Sequence, residues 1–177
     1  IHFHADRITI VGIPSTRDNF GKKPRTQIQS YTLGDDKAGD IVLRTSNDIE
    51  LTKLVTISSI TAASGQAGSI ELTSTHGNVR LTEGGKESFG VSSSTIATGN
   101  TGNVTISAPE GDIVLGGVPV VTQSQPRGNS NQETGRPGFI ALTSQNLEMS
   151  AGTLGNFTSG TDQPGGPPIP ASAPSRS

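Results

Sequence analysis

The stretch Gly102-Asn103-Val104-Thr105-Ile106-Ser107-Ala108-Pro109-Glu110-Gly111-Asp112-Ile113-Val114-Leu115 decides how this chain is read. It holds two short alternating runs, Val104/Ile106 and Ile113/Leu115, with a glycine-bearing corner between them. Strict alternation of apolar and polar residues is the pattern of a half-buried strand, because successive side chains on a strand point to opposite faces.

The same paired pattern recurs along the chain. Ile1/Phe3 precedes Ile8/Ile10, Ile41/Leu43 precedes Ile49/Leu51, Ile70/Leu72 precedes Val79/Leu81, and Ile140/Leu142 precedes Leu147/Met149. Within a pair the offset is 7, 8 or 9 residues, whereas successive pairs begin 40, 29, 34 and 36 residues apart. Near-constant spacing inside a unit and variable spacing between units predict a solenoid with two fixed sides and a third that absorbs insertions. A third apolar run follows most pairs: Val55/Ile57/Ile60, Val91 with Ile96, and Val118/Val120/Val121. The expected fold is all-β, a parallel β-helix of about five coils with three strands per coil. Its right-handedness is expected from the general preference of parallel crossovers. A β-sandwich is the competing architecture, but it does not require equivalent corners at equivalent offsets.

Composition agrees. Gly is 23 of 177 residues, Ser and Thr together number 42, and there are 5 Phe, 1 Tyr and no Trp. Aliphatic, β-branched strands joined by many turns fit those numbers, and a core of large aromatics does not. The net charge of −2 gives no general attraction to nucleic acid or membrane surfaces. Cysteine is absent, which removes disulfides and thiolate chemistry. No apolar run approaches the ~18 residues of a membrane helix. Ile1-His2-Phe3-His4-Ala5-Asp6 carries neither an initiator Met nor a leader pattern, so the chain reads as a processed product or a piece of something longer.

The columns predicted for the core are Phe3-Leu43-Leu72-Ile106-Leu142 and Ile8-Ile49-Val79-Ile113-Leu147. The first strand of each unit follows Asp40, Ser69 or Asn103, with Gly39, Gly68 or Gly102 before it; in the last unit Gly138 is kept and Phe139 breaks the polar pattern. Asp48, Asn78, Asp112 and Asn146 precede the second strand and are expected to form a structural turn column, with Arg7 departing in the first unit. The glycines are expected to supply backbone angles closed to other residues. Glu50 and Arg80 are expected to be cross-strand neighbours. Residues 11–38 and 122–137 are expected to be insertions in a domain over 1–158, and 159–177 a flexible Pro/Gly-rich tail or linker.

Chemistry is sparse. Lys22, Lys23 and Arg25 form the most basic segment and are a candidate surface for an acidic polysaccharide, although a solvated loop tip is the simpler reading. Asp35, Asp36 and Asp40 are the densest acidic group, too few for the six to eight oxygens that calcium takes. His2 and His4 share one face of a strand with no third ligand at a fitting distance. No Gly-x-Ser-x-Gly elbow is present. Asn103-Val104-Thr105 and Asn156-Phe157-Thr158 match the glycosylation triplet. No catalytic residue, metal site or cofactor is expected.

Gly102-Asn103-Val104-Thr105-Ile106-Ser107-Ala108, Gly111-Asp112-Ile113-Val114-Leu115 and Gly68-Ser69-Ile70-Glu71-Leu72 resemble the repeats of filamentous haemagglutinin-type proteins. The segment Val91–Val104 is similar to a linking phrase in large surface versions from photosynthetic bacteria. The likeness covers residues 39–150 well and 1–38 weakly, and the family's amino-terminal secretion module is not in this sequence. The resemblance implies a right-handed parallel β-helix, export by two-partner secretion, an extracellular or cell-surface location and a structural or adhesive role. The resemblance carries over no catalytic residue. Independently of it, Ile1 begins inside a strand without a polar cap, so the first coil is expected to expose an edge. Neighbouring coils of a longer chain cover such an edge, or copies of the same chain stack on it end to end as a filament. The basic segment adds a surface polysaccharide as a candidate partner. The alternative reading is a carbohydrate-active, polysaccharide lyase-like enzyme on the same scaffold.

Overall fold

A computed structural model of the chain describes residues 1–12, 26–53, 55–82, 90–125 and 135–158. Among them every regular element is a strand, and every recorded strand pairing is parallel. The strands are β1 (His2–Ala5), β2 (Ile8–Val11), β3 (Thr26–Thr32), β4 (Ile41–Thr45), β5 (Ile49–Thr52), β6 (Val55–Thr61), β7 (Ile70–Ser74), β8 (Val79–Thr82), β9 (Val91–Thr95), β10 (Val104–Gly116), β11 (Val120–Ser124), β12 (Ile140–Ser150) and β13 (Leu154–Thr158).

Three ladders organise them into a solenoid-like stack. The first runs β1-β4-β7 and then the front halves of β10 and β12. The second runs β2-β5-β8 and then the back halves of the same two long strands. The third is a separate sheet in the order β3-β6-β9-β11-β13. Pro109-Glu110-Gly111 turns β10 from the first ladder to the second, and the register between β10 and β12 shifts there.

The registers align equivalent residues. Phe3, Leu43, Leu72, Ile106 and Leu142 are successive partners in the first ladder, and Ile8, Ile49, Val79, Ile113 and Leu147 in the second. Ile28, Ile57, Val91, Val120 and Leu154 do the same in the third. Inside the stack Leu43, Leu72, Ile106, Ile49, Val79 and Ile113 have no exposed surface. At the two ends burial fails. Phe3 is 47% exposed, Leu147 49% exposed and Leu142 half-buried, because a terminal rung has a neighbour on one side only.

Three sequence expectations are corrected. Residues 11–38 are not wholly an insertion: Thr26–Thr32 is the β3 strand, in register with β6 over its full length. Its alternating Thr, Gln, Ser and Tyr hide it from any search for aliphatics. Likewise Thr122–Ser124, placed in the second insertion, completes β11, and the backbone of Thr101 donates to the carbonyl of Arg136, also placed there, at 3.0 Å. Ile60 does not join Val55 and Ile57 in the core. Strict alternation turns it outward beside Tyr31 and Ser94, while Ser59 and Thr61 point in. The proposed tail, 159–177, lies outside the described residues.

The third ladder therefore puts hydroxyls where the other two put aliphatics. Ser59, Ser93 and Thr122 form one buried file, and each is bonded to corner glycines of the first ladder. Ser93 Oγ accepts from Gly102 N at 2.9 Å and donates to the Gly68 carbonyl at 3.0 Å, so one hydroxyl ties two rungs together. Ser59 repeats this with Gly68 N and the Gly39 carbonyl, and Thr122 Oγ1 donates to the Gly138 carbonyl. Thr61 and Thr95 instead bond the backbone two residues on, turning the chain out of the ladder. These buried hydroxyls are tolerated because their bonds offset their desolvation. Ser124, beside Thr95 in the same ladder, is the exception, its buried Oγ having no partner among the described residues.

The corner after the second ladder is left-handed. Lys53, Gly117 and Ala151 occupy it, with φ of 58°, 70° and 51°. A side chain in that region costs about 1–2 kcal/mol, so Ala151→Gly is expected to leave the melting temperature unchanged or raise it by a few degrees. A fall in thermal unfolding experiments would show that the Ala151 methyl contributes packing.

Candidate functional site

The densest polar constellation lies on the corner between the first and second ladders. Asp48, Asn78, Asp112 and Asn146 follow one another from rung to rung. Asp48 Oδ1 accepts from Asn78 N at 2.8 Å and from Asn78 Nδ2 at 3.1 Å. Asn78 Oδ1 accepts from Asp112 N at 2.9 Å, and Asp112 Oδ1 from Asn146 Nδ2 at 2.8 Å. Each side chain thus satisfies a backbone or amide donor of the next rung. Arg7, which breaks the Asx pattern in the first unit, reaches the other oxygen of Asp48 at 3.2 Å.

The corner between the third and first ladders works the same way. Asp40 Oδ1 accepts from Ser69 N at 2.7 Å, Ser69 Oγ from Asn103 N at 3.2 Å, and Asn103 Oδ1 from Phe139 N at 3.1 Å. In both columns a side-chain oxygen of one rung accepts from a donor of the next, so the arrangement holds backbone in register. Asn78→Ala is expected to cost about 1–3 kcal/mol, since it removes two contacts and orphans the Asp112 amide. Asn78→Asp keeps the acceptor but sets a carboxylate oxygen against Asp48 Oδ1 where the amide donated, so it is expected to cost more at pH 7 than at pH 4. A loss that does not change with pH in chemical denaturation would show that this contact is unimportant.

The carboxylates are tuned by these contacts. The Asn78 backbone N–H holds Asp48 below the usual carboxylate range, aided by the Asn78 side chain and Arg7. Glu71 is lowered mainly by its two-pronged pair with Arg44, at 2.8 and 3.0 Å, which raises Arg44 in return. Burial pushes Asp40 up, but the hydrogen bonds from Lys37 and Ser69 outweigh it and the net shift is downward. A carboxyl whose folded pKa is depressed adds stability above its unfolded pKa and loses it as pH falls through the folded value. Stability is expected to be level from pH 7 to about 5 and to fall below about pH 4. Asp48→Asn should flatten that acid limb; a melting temperature constant down to pH 2.5 would contradict the assignment.

The other candidates do not converge. Lys22, Lys23 and Arg25 lie outside the described residues. Asp35 accepts from Ser64 Oγ, Asp40 pairs with Lys37 at 2.9 Å, and Asp36 is exposed. His2 and His4 are exposed on the outer face of β1, beside Val42 and Arg44. Glu50 and Arg80 are register partners across β5 and β8. Among the described residues no three His, Cys, Asp or Glu side chains are grouped so as to hold a metal ion. Of the two glycosylation-triplet asparagines, Asn103 accepts from Phe139 N through its amide oxygen, and the Asn156 amide lies 2.9 Å from Thr122 Oγ1.

Sequence reasoning missed the hydroxyl file and the Arg44–Glu71 pair. Only the knowledge that β4 lies beside β7 brings Arg44 and Glu71 together, as they are 27 residues apart. Among the described residues no helix is long and apolar enough to cross a membrane. Compared with family models, with curated proteins and with solved structures, the chain matches none.

Proposed function

We propose that the chain is a right-handed parallel β-helix of about five coils, three strands per coil, and forms a structural or adhesive shaft segment of an exported bacterial surface protein of the filamentous haemagglutinin type. The observation that carries the reading is the continuity of the columns. Aliphatic, hydroxyl and Asx residues stack rung upon rung, and the polar side chains are consumed in tying rungs together. A scaffold needs that allocation, and it leaves few polar groups over for chemistry. The chain is accordingly read as non-enzymatic and without a cofactor. The lyase-like alternative gains nothing from Asp35 and Asp40, which face different partners, or from Asp36, which is exposed.

Among the described residues, edge strands β1, β2 and β3 at one end, and β12 and β13 at the other, have a strand partner on one side only and carry half-exposed Phe3, Leu147, Leu154 and Phe157. Such edges accept a further strand in the same register, whether from more coils or from a copy. The test is location in the producing cell. Protease added to intact cells is expected to remove the protein, or the culture medium to contain it; a protein fully protected inside intact cells would refute the surface reading.

A further inference from the structure

We infer that the outer face of the third ladder is a binding groove for a neutral, hydroxyl-rich polymer, a glycan chain lying along the stack axis. This deepens the adhesive reading by naming its face and its ligand class.

Three observations meet there. First, not one residue of β3, β6, β9, β11 or β13 carries a charge. The strands of the other two ladders carry Arg44, Glu50, Glu71, Arg80, Glu110, Asp112 and Glu148. Second, the face is hollowed into a half-open groove of about 310 Å³, lined by Thr56, Ser92, Ser94, Val121 and Gln123 between Gly90 and Pro119. That is the low end of ligand clefts, about 300–1,000 Å³. Third, its polar groups are idle. The inward hydroxyls Ser59, Ser93 and Thr122 are all bonded to backbone, whereas the half-buried Ser92, Ser94 and Gln123 side chains have no partner among the described residues.

The geometry suits a polymer. Tyr31, Ile60, Ser94, Gln123 and Phe157 form one file across the face. An aromatic ring, Tyr31 at 50% and Phe157 at 43% exposure, therefore stands at each end of a file whose middle is Ile60 and the hydrogen-bonding Ser94 and Gln123. Rungs repeat every ~4.8 Å, so donors and acceptors recur along the axis as they do along a sugar chain. Among the described residues, no strand of this face offers a charged side chain to pair with a charged polymer, which would lose hydration against it without return. A second copy of this face is a poor occupant. Five strands of about five residues offer roughly 400 Å² per partner, about 800 Å² in all, against the ~1,200–2,000 Å² of stable interfaces. Two hollow faces also leave a gap between them.

Affinity electrophoresis of the whole chain in gels containing β-glucan, xylan or galactomannan tests this, with polygalacturonate and heparin as charged probes. Retardation by at least one neutral polymer is expected, weakened tenfold or more by Ser94→Asp and by the near-isosteric Gln123→Glu. Glu50→Gln, on another face, should change nothing, and all three variants should melt within a few degrees of wild type. Retardation by charged polymers alone, by none, or equally in wild type and both groove variants overturns the groove. So does a dimer in sedimentation that Ser94→Asp dissociates. Neutral-glycan binding by a protein confined inside the cell would leave the groove standing and overturn the surface reading instead.

Discussion

Gly102→Val is expected to prevent the stack from forming. A Cβ built at Gly102 would fall inside van der Waals contact of the Gly68 carbonyl oxygen and carbon and the Ser69 nitrogen, all of them backbone atoms that no rotamer change can move. Gly68 stands in the same relation to Gly39, and Gly138 to Gly102. Relief therefore requires two rungs to separate, which breaks the Ser93 bridge and opens the core beside it. The cost belongs with the exceptional substitutions, more than about 4 kcal/mol, and should appear as loss of soluble, cooperatively unfolding protein. Gly34→Ala is the control. Its Cβ meets nothing within 4 Å, so its effect should stay within about 0.5 kcal/mol. If Gly102→Val folds with near wild-type stability, the rungs are not packed as closely as described. The corner glycines are thus required for room. The expectation that they supply unusual backbone angles is corrected, since among described glycines only Gly117 has positive φ.

Leu72→Ala should lower stability by about 2–5 kcal/mol, the range for emptying a fully buried leucine site. For a chain of this length that is a fall in melting temperature of roughly 5–15 °C. Leu72 has Leu43 on one side and Ile106 on the other, so the vacated space is walled by two rungs held apart by backbone hydrogen bonds and cannot collapse. Leu147→Ala at a terminal rung tests the same logic in reverse. With half its surface already in water it should cost no more than about 1 kcal/mol. Equal losses at the two positions would mean that Leu147 is covered in solution, as it would be if another strand or a copy seats on that end.

Much of the first two ladders was legible in the residues. Val104/Ile106 and Ile113/Leu115 alternate strictly, and four other pairs repeat them at offsets of 7 to 9 residues, so the strands, their inward faces and the column membership follow from local pattern alone. Asp48, Asn78, Asp112 and Asn146 share an offset for the same reason: a corner repeated in every rung asks for the same kind of side chain each time. The third ladder was not legible as a ladder. Its inward positions are Ile57, Ser59 and Thr61, or Val91, Ser93 and Thr95, and hydroxyls in alternation look like a loop until corner glycines are found within bonding distance. The candidate groove was equally hidden. That Ser92, Ser94 and Gln123 lie idle while Ser93 and Thr122 are engaged depends on which side of a strand faces a neighbouring rung.

Period-two alternation and repeated corners are local properties, enforced residue by residue by the pleat of a strand, and the order of the amino acids suffices to set them. Which rung lies on which, how near Gly102 comes to Gly68, and which face is left without charge are properties of segments some 30 to 40 residues apart in the chain. Those were decided only when the backbone closed its hydrogen bonds between rungs, because contacts at that separation leave no mark on either segment taken singly.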